Sequence, residues 1–252
     1  MISVHPILFK IGPLTVYSWG FMLALAIIVA IWGIGKLFVR EGYDKEKVLD
    51  ITLITVIAGL LGGRLLFILL FAWDDFLANP LIFFAYSSGG LVWYGAFAGG
   101  FLGFVIYIYK SGLNFWNVAD MFAPFVALGY AMVRIGCFMW GCCYGKVTSS
   151  PLGVVFPGVD NFTRYPTQLF SSAINLLLFI LLITYFPRRK FPGQVFLLYL
   201  MGYSIYRFSI EFFRFNEILY HGLSLAQYMS LGLLIAAAIM YLRRRSNMNT
   251  QN

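Results

Sequence analysis

Long apolar runs separated by short polar or basic segments fill the chain from near residue 15 to near residue 242. Seven of them have membrane-crossing length: about 15–38, 48–71, 90–109, 117–140, 168–186, 194–213 and 225–242. The hydrocarbon core of a bilayer is about 30 Å thick and takes roughly 20 helical residues to cross. Backbone polar groups in lipid must be paired internally, so only helices or closed barrels span it. Runs this continuous lack the two-residue alternation of a barrel. The pattern predicts an all-α, polytopic membrane protein with about seven transmembrane helices, one integral membrane domain over 1–252. No Pro/Gly/Ser-rich linker, internal repeat or low-complexity stretch divides it. A shorter run, "FLANPLIFFAY" (76–86), follows Asp74 and Asp75 and reads as an interfacial or re-entrant piece. The first run is too long for a signal-peptide core, and its basic residues Lys36 and Arg40 follow it, so it is expected to stay uncleaved.

Composition fits lipid as the solvent. Of 252 residues, 61% are hydrophobic and 11% charged, whereas a soluble domain is about half apolar and about a quarter charged. The net charge of +8 raises the question of nucleic acid, and the positions of the basic residues answer it. Lys36, Arg40, Lys45, Lys47, Lys110, Arg188, Arg189, Lys190 and Arg243 to Arg245 fall on one side of the predicted membrane. Lys10, Lys146, Arg164 and Arg214 fall on the other. Short loops rich in Lys and Arg stay in the cytoplasm, which predicts the N-terminus outside and the C-terminus cytoplasmic. The basic excess is topological, and no nucleic-acid partner is expected.

Arg64, Arg134 and Arg207 remain, each inside a predicted span. A charge at depth costs several kcal/mol and is tolerated where it faces a cavity or a partner. The plain alternatives are snorkelling or an ion pair that only holds helices together. All three lie roughly 20–27 Å from the cytoplasmic starts of their spans, a shared depth in the outer half of the bilayer. Three guanidinium groups with few acids nearby suit an anion, and their fork of donors can grip two phosphate oxygens at once.

Other polar residues gather at that level. In "YRFSIEFFR", Arg207, Glu211 and Arg214 share one helix face. Glu211 is expected to fix the arginines by ion pairing, since an acid flanked by two arginines stays ionised and weakly basic. Gln168 stands at the outer mouth of the fifth span. "SGGLVWYGAFAGG" (88–100) opens the third span with glycines that permit close approach, and it contains Tyr94, an aromatic-belt residue or a site residue. In "MVRIGCFMWGCCYGK" (132–146), Cys137, Cys142 and Cys143 follow Arg134. Their spacing matches no common zinc site and the two histidines, His5 and His221, are distant in sequence, so no metal or other cofactor is expected. A disulfide from Cys137 to Cys142 or Cys143 and a reading as small packed residues both stay open.

Nearly the whole chain resembles the bacterial prolipoprotein diacylglyceryl transferases. The likeness runs in order through "IGPLTVYSWGFML" (11–23), "GGRLLFILLF" (62–71), "SGGLVWYGAFAGG" (88–100), "RIGCFMWGCCYG" (134–145), "YPTQLF" (165–170) and "YRFSIEFFR" (206–214). The resemblance implies a seven-helix enzyme of the bacterial cytoplasmic membrane whose site faces the periplasmic side. Its substrates would be phosphatidylglycerol and the lipobox cysteine of a prolipoprotein signal peptide, and it would release glycerol phosphate. It further implies that Arg134 and Arg207 hold the lipid phosphate and that Arg64, Glu211 and Arg214 complete the polar network. Gly145 would close the signature.

The departures fall on the proton-handling half of the site. Where the family's signature reads G-R-x-G-N-F-x-N-G-E, this chain has Cys137, Trp140 and Cys142 in place of Asn, Asn and Glu. Tyr94 and Tyr165 stand where the family has histidines. Tyr94 is then the candidate base or hydrogen-bond donor, and Cys142 a proton relay if a neighbouring arginine lowers its pKa. Alternatively, the acceptor thiol needs little help, being a few per cent ionised at pH 7. Two rival readings stay open on the sequence: a relative that moves another phospholipid-derived group or uses another acceptor, and a phospholipid-binding membrane protein without chemistry.

Overall fold

A computed structural model describes residues 5–12, 14–84, 89–156, 159–214 and 220–249. Among these the chain is helical apart from two small antiparallel hairpins and isolated bridges. Strands β1 (Ile7–Ile11) and β2 (Leu14–Tyr17) pair Lys10 with Thr15 and Phe9 with Val16. The first helix, α1, therefore starts at Ser18 and runs to Arg40, three residues later than the apolar run predicts. Next come α2 (Glu46–Phe71), α3 (Trp73–Ala78), a 3-10 turn (Pro80–Phe84) and α4 (Trp93–Lys110). The stretch read as interfacial or re-entrant thus forms the end of α3 and that 3-10 turn, its last two residues lying outside the described ones. Helix α5 (Phe115–Trp140) leads to the hairpin β3 (Val154–Val155) and β4 (Thr163–Arg164). Helices α6 (Thr167–Tyr185), α7 (Gln194–Ile210) and α8 (Leu225–Asn249) follow.

Among the described residues five helices are long and apolar enough to cross a membrane: α1, α2, α5, α6 with its 3-10 extension to Arg188, and α8. The third and sixth expected spans form helices at their expected places, but α4 has 18 residues and α7 only 17. Helix α7 ends at Ile210 because Glu211–Phe213 tightens into a 3-10 turn. Polarity is distributed as lipid requires. Gln168, Asn175, Gln194 and Gln227 are buried while Ile28, Ile180 and Ile235 face outward. This is a multi-pass membrane protein.

The chain groups into two compact units, residues 1–34 with 119–252 and residues 35–118. In the larger unit, Asp120 on α5 is fully buried. Its two oxygens accept the backbone N–H groups of Gly193 and Phe196 at 2.8 Å each, and Arg189 lies 3.6 Å away. A carboxylate there satisfies orphan donors and the positive end of the α7 dipole. Gln194 ties this end further, donating to the hydroxyls of Tyr185 (3.0 Å) and Tyr241 (2.9 Å). One register follows for α5 and α7: α7 starts at the level of Asp120, within α5, and the two run in the same direction. At the other end, Ser224 and Gln227 cap α8 reciprocally, at 2.9 and 3.3 Å.

In the smaller unit α2 and α4 cross on small residues. A Cβ added at Gly62 would sit 2.4 Å from the Gly95 carbonyl oxygen, and one at Gly99 would sit 2.4 Å from that of Ala58. Backbones this close are the way apolar helices gain packing in lipid, where no hydrophobic force joins them. Gly62→Ala is expected to part the two helices and to cost about 1–3 kcal/mol of stability. Gly35→Ala, whose Cβ meets nothing within 4 Å, should be neutral. Thermal unfolding of the purified variants in detergent checks this, and equal stability of the two would refute the close crossing.

Candidate active site

Helix α7 carries Tyr199, Tyr203 and Tyr206 at i, i+4 and i+7, one face of the helix. Tyr130 of α5 packs against that face, its ring centroid 5.8 Å from Tyr203 and 5.9 Å from Tyr206, both edge-on. The hydroxyls of Tyr130 and Tyr206 meet at 3.3 Å, and Ser171 of α6 is hydrogen-bonded to Tyr206. One turn beyond Tyr130, Arg134 folds back onto it. Its guanidinium lies 4.7 Å from the ring centroid and Nη2 donates to the Tyr130 hydroxyl at 2.5 Å. Among the described residues no carboxylate pairs with Arg134. Its partner is a neutral phenol.

Arg207 makes a different pairing. It forms an ion pair with Glu211 one turn on, and the Glu211 side chain is buried. Counting from the Asp120 junction, Arg134 and Arg207 both lie roughly 20 Å along their helices, and Tyr203 is within electrostatic reach of both. The fold therefore brings these two predicted site residues to one level on adjacent helices.

The segment after α5 turns under the same end. Gly141 (φ +80°) and Cys142 close a Schellman cap: Cys142 N donates to Cys137 O and Gly141 N to Phe138 O, each at 3.1 Å. The first turn of α6 then holds the cysteine carbonyls, Gln168 Nε2 bonding Cys142 O at 2.6 Å and Thr167 Oγ1 bonding Cys143 O at 2.8 Å. Gln168 is fully buried, and its Oε1 has no partner among the described residues; Asn175 Oδ1, two turns further along the same face, is in the same condition. Gly145 is threaded between two other segments. Its N–H bonds Tyr165 O at 2.8 Å and it bridges Arg214. A Cβ there would lie 2.4 Å from Phe213 O, so only glycine fits. An open hollow of about 390 Å³, lined by Tyr17, Trp19, Gly20, Trp140 and Cys142, adjoins this segment.

All three cysteines are free thiols with their Sγ atoms within 4.8 Å of one another. Hydrogen bonds from Cys137 and Cys142, then the charges of Arg134 and Arg214, hold Cys143 below the ordinary thiol range. The same sharing pushes Cys142 up. The charges of Arg134 and Arg214 act on Cys143, the neighbour of the thiol considered as a relay. Sequence reasoning also missed Tyr130, Tyr203 and Tyr206, although the i, i+4, i+7 tyrosine spacing on α7 was a readable signal.

Arg64 and Tyr94 belong to the smaller unit. Arg64 is 1% exposed and donates to four backbone carbonyls: Ile82 (2.5 Å), Phe83 (3.2 Å), Gly89 (2.7 Å) and Gly90 (3.2 Å). It gathers the chain on both sides of residues 85–88. Tyr94, in the first turn of α4, is 56% exposed with its ring edge-on to Trp93.

The family model described as prolipoprotein diacylglyceryl transferase matches residues 6–243. A phosphatidylglycerol–prolipoprotein diacylglyceryl transferase 2 of Clostridium perfringens is 37% identical, covering 93% of this chain and 93% of its own length. Phosphatidylglycerol–prolipoprotein diacylglyceryl transferases of Clostridium tetani and Bordetella bronchiseptica are 34% and 32% identical, over 84% and 95% of this chain and 86% and 95% of their own lengths. With a match spanning nearly every element described above, the chain belongs to the prolipoprotein diacylglyceryl transferase family.

Proposed function

We propose that this protein transfers the diacylglyceryl group of phosphatidylglycerol to the lipobox cysteine thiol of prolipoproteins, with Arg134 gripping the phosphate. The observation that carries this assignment is the neutral partner of Arg134. A guanidinium held by a tyrosine ring and hydroxyl, with no carboxylate paired to it among the described residues, is oriented and retains N–H donors for an anion. Arg207, its charge offset by Glu211 at the same level, offers its remaining N–H donors as the second contact. Arg64 has its donors on backbone carbonyls and acts by anchoring the segment before α4. Gln168 and Gly145 position the loop between α5 and α6, and Arg214 adds positive charge beside it. Tyr94 stands where the family has a histidine and serves the acceptor as a hydrogen-bonding group.

The chemistry asks little of a base. A sulfur–carbon bond forms at the glyceryl carbon, the carbon–oxygen bond to phosphate breaks, and the thiol proton is balanced by the new phosphomonoester. Charge develops on the leaving phosphate, where preorganised donors contribute most. The seven apolar helices, α4 and α7 included, are read as crossing the bacterial cytoplasmic membrane with the N-terminus outside. The loop after α5 then faces the periplasmic leaflet, where the signal peptide arrives. The positive-inside distribution supports this orientation.

Phosphatidylglycerol vesicles and a lipobox peptide should yield a thioether-lipidated peptide and glycerol phosphate, read by mass spectrometry. Arg134→Ala should lose roughly 100-fold or more in rate, with Arg134→Lys only partly restoring it because the donor fork is gone. Wild-type turnover by Arg134→Ala would overturn the assignment. Gly145→Ala should also lose activity, through displacement of the 213–214 segment. Arg64→Lys should lower thermal stability more than it lowers the rate per folded molecule; a purely kinetic loss would contradict its anchoring role.

A further inference from the structure

We propose that Cys137, Cys142 and Cys143 form a three-thiolate site for one thiophilic divalent cation of the zinc class, with a fourth coordination position open. The inference stands apart from the transfer reaction, since it rests on the thiol cluster alone. The linear spacing fits no common zinc site, but the helix cap supplies what spacing does not. In the Schellman cap at the end of α5, residues five apart are brought together, and here those residues are Cys137 and Cys142. Cys143 adopts φ +64°, a left-handed conformation that costs a non-glycine residue about 1 kcal/mol or more. It brings the third sulfur back to the other two. The Sγ atoms lie within 4.8 Å of one another. Three sulfurs at the usual zinc distance of about 2.3 Å would be about 3.8–4.0 Å apart, so closure needs only small side-chain adjustments.

The surroundings fit such a complex. The donor set holds sulfur alone, which selects soft and borderline cations over magnesium or calcium. A divalent ion with three thiolates carries one net negative charge. Arg134 and Arg214 act electrostatically on Cys143 and offset it. Access is present on one side: Cys137 is buried, Cys142 lines the apolar hollow next to Trp140, and Cys143 is exposed. An entering ion would meet the exposed thiol first and be held against the buried one.

The full chain, purified in detergent, reduced with a phosphine and stripped with chelator, is titrated with cadmium as the spectroscopic probe. We expect a sulfur-to-metal charge-transfer band saturating at one cadmium per chain, lost in each of Cys137→Ser, Cys142→Ser and Cys143→Ser. Each variant should keep the wild-type circular dichroism. In the wild type, one equivalent of zinc should abolish alkylation by a maleimide, counted by intact mass; the chain has only these 3 cysteines. This second readout needs no variant to fold. Absence of a saturable band in the reduced wild type, a band that survives Cys143→Ser, or alkylation unchanged by zinc would each overturn the site. Transfer activity is not the readout, so its failure would leave this result standing.

Discussion

A guanidinium inside an apolar helix bundle must be solvated by the protein itself, and the choice of what solvates it divides the three arginines by role. Arg64 is surrounded by backbone carbonyls, Arg207 by a carboxylate, Arg134 by an aromatic face and a phenol. Carbonyls consume the donors, and a carboxylate cancels the charge. A tyrosine does neither, because its ring quadrupole orients the cation without neutralising it. Of the three, Arg134 is the one whose hydrogen-bonding partner is a neutral phenol.

That arrangement depends on register. The buried carboxylate of Asp120 sits under the first turn of α7 and fixes the offset between α5 and α7. The tyrosines ten residues further along α5 and about nine along α7 then meet, and Arg134 and Arg207 lie at a similar level beyond them. Pro124 lies inside α5 between these two contacts. A proline there withholds an N–H from the Asp120 carbonyl, a loss membrane helices tolerate where neighbouring groups make it good. Packing, capping and the site are in this sense one construction.

The α5–α6 connection shows how a loop gains precision without secondary structure. Its cysteine carbonyls are taken by Thr167 and Gln168, and Gly145 is laced to Tyr165 and to Arg214 by backbone bonds. Side chains from the first turn of a helix and backbone from two other segments hold it, so the loop moves only if α6 and the end of α7 move with it. Cys142 and Cys143 open this fixed segment, and Cys137 lies in the last turn of α5 just before it. Their chemistry is therefore presented in one geometry.

The sequence alone determined the elements and their solvent. Apolar length gave most helix ends within a few residues, and the charged positions inside the apolar runs singled out Arg134 and Arg207. These features are local and additive, so a linear reading captures them. It did not reveal that α1 gives up its first residues to a hairpin or that α7 stops short of Glu211, because hydropathy scores residues and ignores backbone pairing and tightening. Only the tertiary structure decided which arginine faces a phenol and which faces carbonyls. It also decided that three cysteines converge. Each of these outcomes depends on which side chains meet across helices or around a cap, and a left-handed residue or a buried carboxylate settles that by geometry that residue spacing does not encode.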